Sequence, residues 1–200
     1  MKILKYILYA IIGLSIIFFA IGLMKPSVSY GHEITVNKSL KEAWAVSQDQ
    51  SKLGQWLDGF KSIELISGEK GKVGSKYKVI VSPGDGQPDF EMIETVISVK
   101  EFDHVKLKFD SDFMDFEQVI SFQEKDGMTA VKTDSEVVGN NLMSRSMFAI
   151  MEMTIGAFSG QEELNIEELK KVIQDNTTDY FPTPNVIDDE IILPEEDSKN

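Results

Sequence analysis

Apolar and polar residues alternate through most of the stretch 62–137; from Met147 onward the apolar spacing lengthens to nearly four. That change of period constrains the fold more than any other feature, because alternation suits strands and a spacing near four suits one helix face. The alternating runs are 62–66, 75–81, 90–99, 105–109, 116–122 and 129–137. Each is rich in β-branched and aromatic residues and is bounded by turn residues. Asp126-Gly127 is the sharpest hairpin signal, since this pair readily takes the positive φ of a tight turn. The glycine- and proline-bearing stretches 68–74 and 83–88 read as loops. The longer spacing joins Met147, Met151, Ile155, Phe158, Glu162, Ile166, Leu169 and Ile173 on one face, interrupted by a single glutamate. It predicts a helix over about 142–176, with Gly156 and Gly160 as places for a bend and Pro182 and Pro184 beyond its end.

Upstream, 33–37 reads as a strand with Ile34 and Val36 on one face. Ser39 followed by Glu42 matches a capping box and opens a helix carrying Leu40, Ala43, Trp44 and Val46. A second short helix, with Leu53, Trp56 and Leu57, stops at Asp58-Gly59. The order is strand, two short helices, six strands and one long helix. Sequential antiparallel strands have one face to bury, and only the last helix is long enough to cover it. The predicted fold is therefore α+β: a curved antiparallel sheet of about seven strands wrapped on a long C-terminal helix, with a space between them.

A different signal precedes this domain. Residues 7–24 are apolar apart from Tyr9, Ser15 and two glycines, which is near the lower length for one transmembrane helix. Lys2 and Lys5 precede the run and Lys25 follows it, a bias that points to a cytoplasmic N-terminus with the domain on the extracytoplasmic side. The reading is a signal anchor over 1–27 and single-pass attachment through 7–24. A cleaved signal peptide, using the small residues around Ala20, and a buried core helix are the competing readings. The domain then spans 28–182, and an acidic, disordered tail spans 183–200. A net charge of −13 disfavours nucleic-acid phosphates, so no nucleic-acid partner is expected.

The segments Ile34-Thr35-Val36-Asn37, Glu42-Ala43-Trp44-Ala45-Val46, Trp56 and Val73-Gly74-Ser75-Lys76-Tyr77 carry a family likeness. They resemble the SRPBCC superfamily, the START-like, Bet v 1-like and polyketide cyclase-like domains with the helix-grip fold. The resemblance covers roughly residues 30–180. It implies a deep cavity between sheet and C-terminal helix, which relatives use for lipids, sterols, polyketides or other apolar molecules. Members with activity share no single catalytic set, so no catalytic residue is carried over.

Seven residues are candidates for the cavity wall: Trp56, Met92, Glu94, Met147, Met151, Phe158 and Arg145. Met147 and Met151 share the predicted inward face with Phe158, and methionine adapts to varied apolar shapes. The alternative is that these methionines simply pack the core. Trp56 stands beside a glycine-ended turn, where an indole offers apolar area and one donor; Trp44 reads as core. Arg145 is the only arginine, in a first helical turn where the macrodipole disfavours a cation. It could bind an anionic ligand group or pair with a surface carboxylate. Glu91 and Glu94 lie on opposite faces of one strand, so one of them is expected inward, where its pKa would rise and it could act as an acid or base. His32 and His104 read as surface residues without metal-ligand spacing. There is no cysteine, which removes disulfides, thiolate nucleophiles and cysteine-ligated metals. No nucleophile elbow or phosphate-binding glycine loop is present, and no metal or cofactor is expected.

The reading is a membrane-anchored binding module for a lipid or other small apolar ligand, rather than an enzyme. Two alternatives stand beside it: a protein–protein interaction module with a filled core, and a polyketide cyclase/aromatase-like enzyme using an inward carboxylate. The sequence sets no oligomeric state.

Overall fold

The computed structural model describes residues 2–84, 86 and 88–182. The expected acidic tail, including Pro184 and Ile191 to Leu193, lies outside the described residues. Helix α1 (Lys2–Met24) leads into β1 (Ser27–Tyr30) and β2 (Glu33–Val36). Then come α2 (Leu40–Gln48), a 3-10 turn (Gln50–Lys52) and α3 (Leu53–Trp56). The strands β3 (Phe60–Ser67), β4 (Lys76–Val81), β5 (Phe90–Lys100), β6 (His104–Asp110), β7 (Met114–Lys125) and β8 (Met128–Gly139) follow in sequence. Helices α4 (Leu142–Ile155) and α5 (Ala157–Gln174) close the order.

The strands make one antiparallel sheet in the order β1-β8-β7-β6-β5-β4-β3, with β2 also paired to β8. The expected helix-grip arrangement is present, with eight strands rather than about seven. The additional strand is β1, which reads as linker in the sequence but pairs Ser27 to Tyr30 with Val138 to Ser135. At the β7–β8 turn Asp126 and Gly127 take φ of 54° and 76°, the pair of positive values such a hairpin needs. Half of the predicted capping box forms: the Glu42 N–H donates to Ser39 Oγ at 3.3 Å. The Glu42 carboxylate instead accepts from Lys38 Nζ at 2.7 Å, which holds its pKa below the usual range.

The predicted C-terminal helix is two helices. Gly156 adopts φ 58° and ψ 45°, a left-handed conformation that ends α4 at little steric cost. Glu152 of α4 then reaches across the break, its carboxylate accepting from the N–H groups of Phe158 at 2.9 Å and Ser159 at 3.3 Å. That contact supplies the first turn of α5 with acceptors its own backbone lacks. The break also changes the phase. In α5 the inward residues are the expected Glu162, Ile166, Leu169 and Ile173. In α4 the buried residues are Ser144, Ser146, Phe148 and Ala149, whereas Met147, Met151 and Ile155 face outward.

The core lies at the C-terminal half of α5. Ile166, Leu169 and Ile173 are sealed against Val36, Val46, Trp44, Phe122 and Val131. Trp44 meets Phe122 edge-on, ring centroids 5.2 Å apart. Because Leu169 has no exposed area, Leu169→Ala is expected to destabilise the fold by about 2–5 kcal/mol through lost transfer and cavity terms. Urea unfolding monitored by tryptophan emission reads this directly.

Candidate ligand cavity

The first half of α5 places small residues, Ala157, Ser159 and Gly160, among Phe158, Gln161 and Glu162. Of these, Ala157, Phe158, Gln161 and Glu162 border the concave face of the sheet without filling it, whereas Ile166 and Leu169 further along are sealed in the core. A cavity of about 620 Å³ remains between them, within the usual size of small-molecule sites. Val79, Met92, Val96, Leu107, Phe109 and Ile120 line it from the strands. Stacked rings form part of the wall: Tyr30 stacks on Phe158 at 5.8 Å and on Phe116 at 6.4 Å, and Phe116 on Phe109 at 5.2 Å. A smaller hollow of about 350 Å³ adjoins it across Trp56, between the α3–β3 turn and α5. That seam is tied by the Asp58 N–H donating to Asn165 Oδ1 at 3.1 Å.

The alternation of β5 decides which glutamate turns inward. Phe90, Met92, Glu94 and Val96 all line the cavity. Glu91 points to the other face, where Lys78 Nζ lies 2.6 Å from its carboxylate. Glu94 is flanked in register by Tyr77 on β4 and Phe109 on β6. Burial alone pushes its carboxyl up to about 7, because no positive charge compensates the lost hydration. Glu162, by contrast, is buried and held: Gln118 Nε2 donates to it at 3.0 Å and Ser135 Oγ at 3.3 Å. Burial, and then the nearby charges of Glu162 and Glu152, raise the Tyr30 phenol far above its ordinary value.

Of the sequence-predicted residues, Trp56, Met92, Glu94 and Phe158 are brought together on the cavity wall. The Trp56 indole Nε1 is buried and has no hydrogen-bond partner among the described residues. The other three candidates are corrected. Met147 and Met151 do not line the cavity; they are 44% and 37% exposed, because the Gly156 break puts α4 out of phase with α5. Arg145 is also outside it: its Nε donates to the Gly139 carbonyl at 2.9 Å, so the end of β8 holds the cation in the first turn of α4. Lys70 is the only basic residue among those lining the cavity. His32 stands 3.4 Å from Glu167, and His104 stands 2.7 Å from Asp103, each a local pair. No group of three metal-ligating side chains occurs among the described residues.

Tyr30, Gln118 and Glu162 were not expected at the wall. Glu162 had a signal, as the one charge on an otherwise apolar helix face. Gln118 had a weaker one, alternating with Phe116 and Ile120 along β7. Tyr30 had none, because β1 itself was not legible.

No family model matches the chain, and no curated protein matches it. Solved structures do. Ara h 8.0201 superposes with a TM-score of 0.54 at 11% identity, covering 75% of this chain and 99% of its own. A conserved protein from Geobacillus kaustophilus gives 0.55 at 23%, covering 74% and 93%. Norcoclaurine synthase from Thalictrum flavum gives 0.53 at 20%, covering 75% and 95%. At these identities the likeness establishes the fold alone, the helix-grip fold.

The Glu94 carboxyl yields a pH prediction. Its folded value of about 7 lies above the ordinary unfolded value near 4.3. Its contribution to stability is full below the unfolded value and is lost as pH rises through 7. The loss is on the order of 3 kcal/mol, at about 1.4 kcal/mol for each unit of difference. Glu94→Gln should therefore gain stability relative to the parent in urea titrations at pH 8 and show little difference at pH 4. Equal differences at both values would mean that the carboxylate is solvated.

Proposed function

We propose that this helix-grip domain, of the Bet v 1-like and SRPBCC kind, is a membrane-anchored module that encloses one small apolar molecule, a lipid or a comparable compound, between its sheet and α5. The observation that carries the reading is the hollow itself, about 620 Å³ with a mostly apolar wall and a few convergent polar groups. Trp56, Met92, Glu94 and Phe158 are the ligand-contacting residues proposed. Three carboxyl groups, Asp58, Glu94 and Glu162, against a single lysine make the wall unfavourable for a free acid. The unpartnered Trp56 N–H offers a donor to a ligand oxygen. A neutral or amine-bearing apolar molecule fits this polarity best.

Anchoring rests on α1, one helix long and apolar enough to cross a bilayer. Nearly all of its apolar side chains are exposed, which argues against a core helix. The lysines at 2 and 5 support a cytoplasmic N-terminus and an extracytoplasmic domain. The cavity speaks against the filled-core partner module. One observation favours a second, enzymatic reading: an inward carboxyl poised near neutral pH is the type of group used in acid–base catalysis.

Native mass spectrometry of the full chain released from detergent micelles tests the binding reading. A matched panel of decylamine, decanol and decanoic acid should show one-to-one adducts, with the acid weaker by about tenfold at pH 8, an order-of-magnitude figure for one unfavourable buried charge contact. Met92→Trp, which adds bulk to the hollow without filling it, should weaken the adducts while the variant stays folded by circular dichroism. A folded protein that takes none of the three, or an unchanged affinity in Met92→Trp, would remove the cavity from the function.

A further inference from the structure

The methionines displaced from the cavity define a surface. Met143, Met147 and Met151 are 63%, 44% and 37% exposed, and Met153 and Ile155 extend the apolar surface to the end of α4. The two charged residues of α4 are turned away from this face and engaged elsewhere: Arg145 on the Gly139 carbonyl, Glu152 on the N–H groups of Phe158 and Ser159. Its hydroxyls are also satisfied by backbone acceptors. Ser144 Oγ donates to the Asn141 carbonyl at 2.9 Å, Ser146 Oγ to Leu142 at 2.8 Å and Thr154 Oγ1 to Ile150 at 2.7 Å. A helix face with no charge and no unsatisfied hydroxyl is suited to a medium that offers no hydrogen bonds.

The adjoining element says what that medium is. The C-terminal end of α1 packs on α4, with Gly22 buried at the contact. A Cβ at Gly22 would come within 2.8 Å of the Ser146 backbone nitrogen and 3.0 Å of the Leu142 carbonyl oxygen. Phe18, Ala20 and Ile21 are partly covered at the same end. The apolar run 7–24 spans about 27 Å at ~1.5 Å per residue, against a hydrocarbon core of about 30 Å. There is no turn to spare. If α1 crosses a bilayer, Ile21 and Gly22 stand at its boundary, and so do the α4 residues touching them. With about 100° of rotation per residue, Met143 falls on the flank of α4 beside Leu142 and Ser146, and Met147 and Met151 carry the exposed face further round the helix, Met151 to the side opposite Leu142.

We infer that the methionine face of α4 is a bilayer-docking surface, seated among lipid acyl chains at the membrane boundary beside α1. The inference rests on the reading of α1 as a membrane anchor. The flexible thioether side chains adapt to fluid chains, and a helix with one apolar face lies in the plane of such an interface. The acidic chain gains nothing from anionic headgroups, so docking is apolar in origin and insensitive to salt.

The chain has no cysteine, so single replacements can be labelled cleanly. The full chain is reconstituted into phosphatidylcholine nanodiscs carrying doxyl-labelled lipid. A nitrobenzoxadiazole probe is placed at Leu14→Cys in α1, Met147→Cys and Met151→Cys in α4, and Lys125→Cys at the distant β7–β8 turn. The doxyl lipid should lower emission by at least about twofold at positions 14, 147 and 151, the response of probes within the acyl boundary, and leave position 125 unaffected. Lipid quenching at 14 with only aqueous iodide quenching at 147 and 151 would overturn the docking surface and leave the anchor standing. Shielding of 147 and 151 from both quenchers would overturn it in favour of a second copy of the chain on this face. Absence of lipid quenching at 14 would overturn the anchor and the docking surface together.

Discussion

The left-handed turn at Gly156, with the Glu152 carboxylate closing over it, is the constraint on which the rest of this structure depends. An unbroken helix would carry Met147, Met151 and Ile155 onto the face that bears Ile166, Leu169 and Ile173. The turn instead resets the phase, and Glu152 fixes the new direction by accepting from Phe158 and Ser159. As a result the first turns of α5 border the hollow through Ala157, Phe158, Gln161 and Glu162, and the rest of the helix seals the core through Ile166, Leu169 and Ile173. The same reset sends Met147 and Met151 outward.

Period alone carried the sequence reading far. The alternating runs became strands, with ends that moved by a few residues, and the Asp126-Gly127 hairpin formed with both residues at positive φ. Trp56, Met92, Glu94 and Phe158 line the cavity, although the alternation of 90–99 by itself leaves open which of Glu91 and Glu94 turns inward. The departures at Met147 and Met151 have one source. A spacing of four continues smoothly through Gly156 in the sequence, and no local rule distinguishes a helix that bends at a glycine from one that ends there. Met147 and Met151 were assigned from that continuity. The assignment of Arg145 failed for another reason, since its partner is a main-chain carbonyl at the end of β8, which has no signature in the sequence. β1 was missed because four residues, Ser27 to Tyr30, are too short to show alternation against the neighbouring linker.

The polarity of the cavity follows from how its two glutamates are treated. Glu162 is held by two donors, Gln118 and Ser135, at the cost of fixing two further side chains. Glu94 receives no donor, lies between Tyr77 and Phe109 in the sheet register, and responds by holding its proton to about 7. An uncompensated carboxyl in a packed core would be a defect that a single change to leucine could remove. Next to an open hollow the same group can be satisfied by whatever enters, so the deficit in the empty protein becomes part of the affinity for the right occupant.

The cavity and the outward face of α4 are joined by packed rings rather than by a flexible linker. Phe148 of α4 meets Phe158 edge-on at 5.3 Å, and Phe158 stacks on Tyr30, which stacks on Phe116. Phe148 belongs to the small second core with Val28 and Val137, so α4 is fixed to β1 and β8 as well as to α5. A helix held in this way cannot shift without moving the aromatic wall of the cavity, because close-packed interiors transmit displacement instead of absorbing it. The connection also explains why the break at Gly156 is stiffened by Glu152. A free hinge at that point would let α4 follow α1 while α5 stayed with the sheet, and Phe158 would lose its stacking on one side or the other. Capping α5 with a side chain of α4 makes the two helices move as one piece.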